Sequence, residues 1–310
     1  MMIIEAMSLV GEQTKSDDFD DFWNRQIQLV QGKELNTHFQ PTTFSGQKEK
    51  VFKVSVEGLD GTPVIGWYIH HSPKPGKGCL ITTHGFKSSR KSPSHYAHWT
   101  SIGYDVIAFD VRLQSGETGF NSPISGPLIG NVCTLNLLDE ESYYLKHLYT
   151  DTMMMIRLGK SLGYSTIVLE GTSQAGGLML AAGALLGQVN YILANVPSFS
   201  DMENRVRKGT GSLKSIQTYL SIHPDREKEV MRVLSYFDLK NMADRIHAPV
   251  YCSVGLLDQT CPAENFYPAY SRITSPKQLV CYPYNGHEGG SDLHKEKELA
   301  LLAAFIEQIG

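Results

Sequence analysis

The sequence lacks several features that would settle its class at once. No stretch approaches the roughly 20 consecutive apolar residues of a membrane-spanning helix, so no membrane partner is expected. Cysteine is scarce: the five thiols (Cys79, Cys133, Cys252, Cys261, Cys281) are scattered, odd in number, and form no C-x-x-C pair. That argues against a disulfide framework or a thiolate metal site. Cys79, Cys252 and Cys281 fall inside apolar runs, which suits reduced thiols in a reducing compartment. Positive charge is not in excess either. The 28 Lys and Arg are set against 32 Asp and Glu, for a net charge of −4, so no nucleic-acid partner is expected. The basic cluster KSSRK at 87–91 is too short for a binding stripe and reads as a solvated loop. The opening MMIIEAMSLVGEQTKSDD has no basic n-region, carries Glu5, and has only a short apolar run, so no secretory leader is expected. Repeats, low-complexity tracts and linkers are also missing. A cytoplasmic protein is the expectation.

What is present is ordinary globular composition, with 41% hydrophobic and 19% charged residues over 310 positions, enough for a sizeable core. One domain over 1–310 is expected, with an N-terminal extension of about 48 residues. The segment DDFDDFWNRQIQLVQG (17–32) predicts a helix with an acidic first turn and aromatic anchors at Phe19, Phe22 and Trp23. Apolar and polar residues alternate over 50–71 around Asp60-Gly61, the signal of an antiparallel hairpin. From residue 77 the pattern changes. Short apolar runs at 79–85, 105–111, 166–171, 191–196, 249–258 and 278–284 alternate with helical stretches at 140–163, 265–273 and 295–309. Continuous apolar strands alternating with helices imply an α/β fold, a doubly wound, mostly parallel sheet with helices on both faces. The segment 198–235 is a candidate cap insertion.

In such sheets ligands bind outside the C-terminal strand ends, so the residues there carry the argument. After 166–171 comes Thr172-Ser173-Gln174; Asp258 closes the run 249–258; and His287 follows 278–284. Ser, then Asp, then His is the chain order of α/β-hydrolase triads, and GTSQA is close to their G-x-S-x-G turn. Each residue alone has a plain reading: a turn serine, a helix-capping aspartate, a loop histidine. Together they match the needs of acyl transfer. A serine hydroxyl is a weak nucleophile until an imidazole takes its proton, and a carboxylate must fix that imidazole's tautomer. His84-Gly85 after the first parallel strand suits a turn that aims the Phe86 amide at the same place. The Phe86 and Gln174 amides would then form an oxyanion hole, in which losing one donor costs about 3 kcal/mol. Arg112, Leu113 and Gln114, after the strand at 105–111, are candidate pocket-lining residues, although Arg112 also reads as an ion-pair partner. His95 with His98, and His70 with His71, find no third ligand of suitable spacing, so no metal and no cofactor are expected. Met153, Met154 and Met155 read as core.

With these blocks assembled, the chain resembles carbohydrate esterase family seven, the acetyl xylan esterases and cephalosporin-C deacetylases. The resemblance rests on FDDFW, HGF, VRLQSGET, GTSQAGG, LSYFDLKNMADRIHAPV, SVGLLDQTCPAENFYPAY and NGHE. It implies Ser173, Asp258 and His287 as the triad and Phe86 and Gln174 as backbone oxyanion donors. It also implies deacetylation of small acetylated sugars and of cephalosporin C, a cytoplasmic location, and a homo-oligomer, often a hexamer. The chain departs from the family pattern at Phe86 (usually Tyr), Leu113 and Ala175 (both usually Gly), and in the loop KSSRKSPSHYAHW. A serine esterase acting on short acyl esters is therefore expected. Two alternatives stay open at this point: a hydrolase of amides, thioesters or longer acyl chains, since a triad serves all of these, and a non-catalytic protein that kept the fold.

Overall fold

The computed structural model describes residues 11–44, 49–71, 75–126 and 128–309. Residues 1–10, which hold most of the stretch read above as no leader, lie outside the described residues. Among the described residues nine strands form one sheet in the order β1-β2-β3-β5-β4-β6-β7-β8-β9. They are β1 (Thr37–Thr42), β2 (Lys50–Glu57), β3 (Pro63–His70), β4 (Gly78–Thr82), β5 (Tyr104–Phe109), β6 (Ile167–Thr172), β7 (Tyr191–Asn195), β8 (Val250–Gly255) and β9 (Lys277–Tyr282). β1 to β3 and the β3–β5 pairing are antiparallel, and every other pairing is parallel. The expected α/β-hydrolase sheet and the hairpin over 50–71 are both there. β1 is an addition. Its residues THFQPT alternate only between half-buried and exposed, and Pro41 is tolerated because the strand is an edge. Neither feature gives a strand signal.

Every residue of β4, β5 and β8 is buried, because apolar layers cover both faces of the sheet. One layer includes α1 (Phe19–Gly32), whose buried Phe19, Phe22 and Trp23 are the anchors read from the sequence. The Trp23 indole donates to the Tyr236 carbonyl at 2.8 Å and stacks on Tyr149. α2 (Ala97–Ser101) follows a short 3-10 turn. α3 (Tyr144–Ser161) starts later than the expected residue 140. Residues 139–142 close a turn instead, with the Ser142 amide and hydroxyl both donating to Asp139 (3.2 and 2.7 Å). α4 (Gln174–Leu185) is buried along its whole length, as expected for a helix apolar on all sides. Between β7 and β8 lie α5 (Met202–Lys208), α6 (Lys214–Ile222) and α7 (Glu227–Ser235). α8 (Ala263–Arg272) precedes β9, and α9 (Ser291–Ile309) ends the described chain. Among the described residues no helix is long and apolar enough to cross a membrane. All five cysteines are unpaired, and Cys281 is half-buried rather than buried.

Candidate active site

The turn between β6 and α4 carries Ser173 at φ 62° and ψ −120°. A residue with a Cβ pays for that left-handed conformation, so the surroundings must enforce it. The Ser173 amide donates to Asn195 O (2.8 Å), and its carbonyl accepts from the amides of Gly177 (3.1 Å) and Ser198 (3.0 Å). Gly171 is indispensable here. A Cβ at that position would come within 2.5 Å of the Ala175 carbonyl carbon and 2.7 Å of its methyl. The methyl of Ala175 therefore fits because residue 171 has no side chain.

The side chains expected to act together are brought together. Ser173 Oγ lies 2.9 Å from His287 Nε2, and His287 Nδ1 lies 2.7 Å from Asp258 Oδ2. The other carboxylate oxygen of Asp258 accepts the amides of Thr260 (2.7 Å) and Cys261 (2.9 Å). Asp258 thus shapes the turn before α8 as well as contacting His287, but it does not cap that helix, whose N-cap is Pro262 with no side-chain cap. The carboxylate can only accept, so Nδ1 carries the imidazole proton and Nε2 is left as the base facing Ser173.

The turn after β4 is held by His84. Its Nδ1 is 2.9 Å from Gly85 O, and its Nε2 accepts the Val111 amide at 2.9 Å. These partners fix a neutral ring, and burial, the main cause, lowers its pKa below the usual histidine value. Phe86 and Gln174 both line the cavity that contains Ser173 and His287. Among the described residues neither backbone amide has an acceptor, so both donors are free for a ligand oxygen.

The three candidate pocket residues need correction: none of them lines that cavity. Arg112 is fully buried, and its guanidinium forms paired contacts with Asp151 (2.6 and 2.8 Å) and Asp60 (2.7 and 2.9 Å) and one with Thr62 (2.9 Å). Burial pushes the Asp151 carboxyl up against the pull of Arg112. Burial also opposes the charge on the more open Asp60, yet bonds from Arg112 and Ser122 hold its carboxyl well below the usual range. The ion-pair reading of Arg112 is the one that fits. Leu113 is exposed at φ 54°, with its amide on Thr118 O (3.0 Å). Gln114 works from behind the site. Its Oε1 accepts the Lys87 amide (2.8 Å), and its Nε2 donates to Gln174 Oε1 (2.8 Å) and to Tyr144 Oη (3.2 Å). It bolts together the two segments that present the free amides.

The cavity has a volume of about 550 Å³, within the range of small-molecule sites. Part of its wall was not found by sequence reasoning. Ser198, Arg205, Gly211 and Ser212 come from the segment singled out only as a candidate cap, and Asn131 comes from a loop before α3. Asn131 Nδ2 donates to Ser212 O (3.0 Å), and Ser215 Oγ donates back to Asn131 Oδ1 (3.0 Å), which joins the loop to the insertion. Thr260 and Cys261 also line the cavity; their place just after Asp258 was the available signal. No group of three or more His, Cys, Asp or Glu side chains suited to a metal ion occurs among the described residues.

Comparison with known proteins gives consistent results. The acetyl xylan esterase family model matches residues 2–305. An acetyl esterase of Xylanibacter ruminicola is 31% identical over 305 residues, covering 90% of this chain, and the chain spans 65% of that relative's length. An acetyl xylan esterase structure from a Paenibacillus species aligns with a TM-score of 0.93 at 30% identity, covering 98% of this chain and 99% of that one. Acetyl xylan esterase 1 from a Thermoanaerobacterium species aligns with a TM-score of 0.90 at 26% identity, covering 97% and 99%.

Proposed function

The chain belongs to the acetyl xylan esterase family, and on that premise we propose that it is a serine esterase removing acetyl groups from small acetylated carbohydrates. The observation that carries the reading is the hydrogen-bonded series Asp258–His287–Ser173 opening on a cavity walled by two free amides. Ser173 Oγ attacks the acetyl carbonyl while His287 Nε2 takes its proton. The tetrahedral oxyanion is stabilised by the Phe86 and Gln174 amides, which line the cavity and have no acceptor of their own to give up among the described residues. His287 returns the proton to the departing sugar oxygen, leaving an acetyl ester on Ser173. Water, deprotonated by the same nitrogen, attacks that ester; the bond to Ser173 Oγ breaks, His287 returns the proton to Oγ, and acetate leaves. Asp258 keeps the imidazole in the working tautomer and stabilises its charged form. The test is acetate release from acetylated xylo-oligosaccharides by wild type and Ser173→Ala. A fall on the order of 10⁴-fold or more is expected, and equal rates would sink the proposal.

In the same reading the chain is one domain, with the N-terminal stretch of about 48 residues as an extension and residues 198–235 as a cap that limits substrate size. Ser198, Arg205 and Ser212 on the cavity wall support the cap. The acetyl ester of cephalosporin C is a further substrate, the protomers form a homo-oligomer of six, and the protein works in the cytoplasm, where five unpaired thiols are at home. Family resemblance supports the hexamer, and light scattering on the purified protein tests it.

A further inference from the structure

The cavity beside Ser173 meets a second one of about 240 Å³, and Gly85 and Thr172 line both. Among the described residues their walls together carry four fixed cations, Lys87, Lys91, Arg205 and Lys295, but only one carboxylate, Glu170. Glu170 is already neutralised, with Lys295 Nζ at 2.8 Å and the Thr82 hydroxyl donating at 2.7 Å. Asp258 stands behind His287 with its side chain fully buried. Glu288, nearby in sequence, turns back to accept from Asn285 (3.0 Å) and the Gly286 amide (3.1 Å).

The other three cations lack acidic partners among the described residues. Arg205 is 1% exposed, yet all its partners are neutral: Ser198 Oγ (2.9 Å), Thr260 O (2.8 Å), Thr210 Oγ1 (3.2 Å) and Cys261 Sγ (3.8 Å). A buried charge without a counter-charge is costly unless something else supplies one. Lys87 is exposed at φ 60°, a strained conformation held by Gln114, and Lys91 is exposed with Ser88 Oγ as its side-chain partner (3.4 Å). Strain kept at the rim of a site is a mark of function. The reaction's own anions do not account for this field. The oxyanion is transient and met by two amides, and Lys91 lies in the second cavity.

From this distribution we infer that the preferred substrate is an acetyl ester whose alcohol part carries a carboxylate, an O-acetylated sugar acid, with that carboxylate on the Lys87 and Lys91 side of the joined cavities. The inference rests on the esterase reading and deepens it. A cleft of one sign concentrates ligands of the other, and interactions kept into the transition state raise kcat/KM.

The experiment compares kcat/KM for acetylated glucuronic acid with that for acetylated methyl glucoside, the neutral analogue. It uses wild type, Lys87→Glu and Lys91→Glu, whose exposed side chains make folding a minor concern. Only the ratio of the two substrates within each protein is read, so a general loss of activity does not disturb it. Wild type should favour the acid by about tenfold at low ionic strength. The preference should shrink between about 20 mM and about 500 mM salt, and each charge reversal should abolish it. Efficient hydrolysis of the neutral sugar with no preference for the acid would overturn this inference and leave the esterase reading standing. A preference unchanged by both reversals would overturn it too. No acetate from either ester would overturn both readings.

Discussion

Replacing Gly171 by Ala tests how the elbow is built. The new Cβ would sit 2.5 Å from the Ala175 carbonyl carbon and 2.8 Å from its oxygen. That is roughly 1 Å short of an ordinary carbon–carbon contact. These atoms belong to the first turn of α4, which is buried throughout, so the helix cannot simply move aside. The strain should cost about 1–3 kcal/mol of stability, the usual penalty for overpacking a dense core. The larger effect should be on turnover, because Ser173 lies between the two clashing residues. A nucleophile displaced by about 1 Å loses on the order of 10²-fold in rate. The assay is kcat/KM on 4-nitrophenyl acetate, with thermal melting measured on the same samples. The double variant Gly171→Ala with Ala175→Gly sharpens the result. It removes the methyl at 2.7 Å but leaves the backbone contacts, so little rescue is expected. Full rescue would refute the reasoning and make the Ala175 methyl the true obstacle. Wild-type kinetics in the single variant would show that the elbow is not held as tightly as these distances imply. Ala175→Gly alone should raise turnover only modestly, while costing about 1 kcal/mol for glycine in a helix.

Gln114→Ala should lower kcat by on the order of 10–100-fold with little change in melting temperature, because it releases both amide-bearing segments without opening the core; an unchanged kcat would mean they hold themselves in place. Arg112→Met should destabilise the protein by about 3–5 kcal/mol, measured by urea unfolding, since it strands the buried Asp151 and leaves Asp60 with only neutral donors, Ser122 Oγ and the Thr62 amide, among the described residues, and adding Asp60→Asn and Asp151→Asn should recover much of the loss. Stability should also fall as pH drops through the histidine range. Burial, the main cause, depresses His294 to about 4 and His147 to about 3, so between those values and the unfolded value near 6.5 the unfolded chain binds more protons than the folded one. The stabilisation is complete above about 6.5 and is lost as pH falls towards 4 for His294 and towards 3 for His147, on the order of 1–3 kcal/mol per residue. Urea midpoints measured against pH for wild type and His294→Gln check this, and identical slopes would contradict it.

Much of the site was legible because its chemistry sits where strands end. The parallel sheet follows from continuous apolar runs, and the order Ser173, Asp258, His287 follows from reading the polar residue after three of those runs. His84-Gly85-Phe86 was found in the same way. What lay off these strand ends was harder to read. Arg112, Leu113 and Gln114 follow a strand like the others, but sequence does not say which way a loop side chain turns. Arg112 turns inward because Asp60 and Asp151, from a hairpin turn and from α3, meet there. The edge strand β1 and the start of α3 were missed or misplaced because half-exposed edges and side-chain turns leave little periodic signal.

The sequence alone determined the class of sheet, the elbow and the residues available for acyl transfer, because these depend on local period and on chemical type. Tertiary structure alone decided what shares a cavity with Ser173. Arg205, Ser212 and Asn131 reach it from an insertion and a distant loop, joined by hydrogen bonds between residues more than 80 positions apart. The charge of the cavity follows from those meetings. It depends on which cations find acids during packing and which do not, and pairing of that kind is a property of three-dimensional neighbours rather than of chain order.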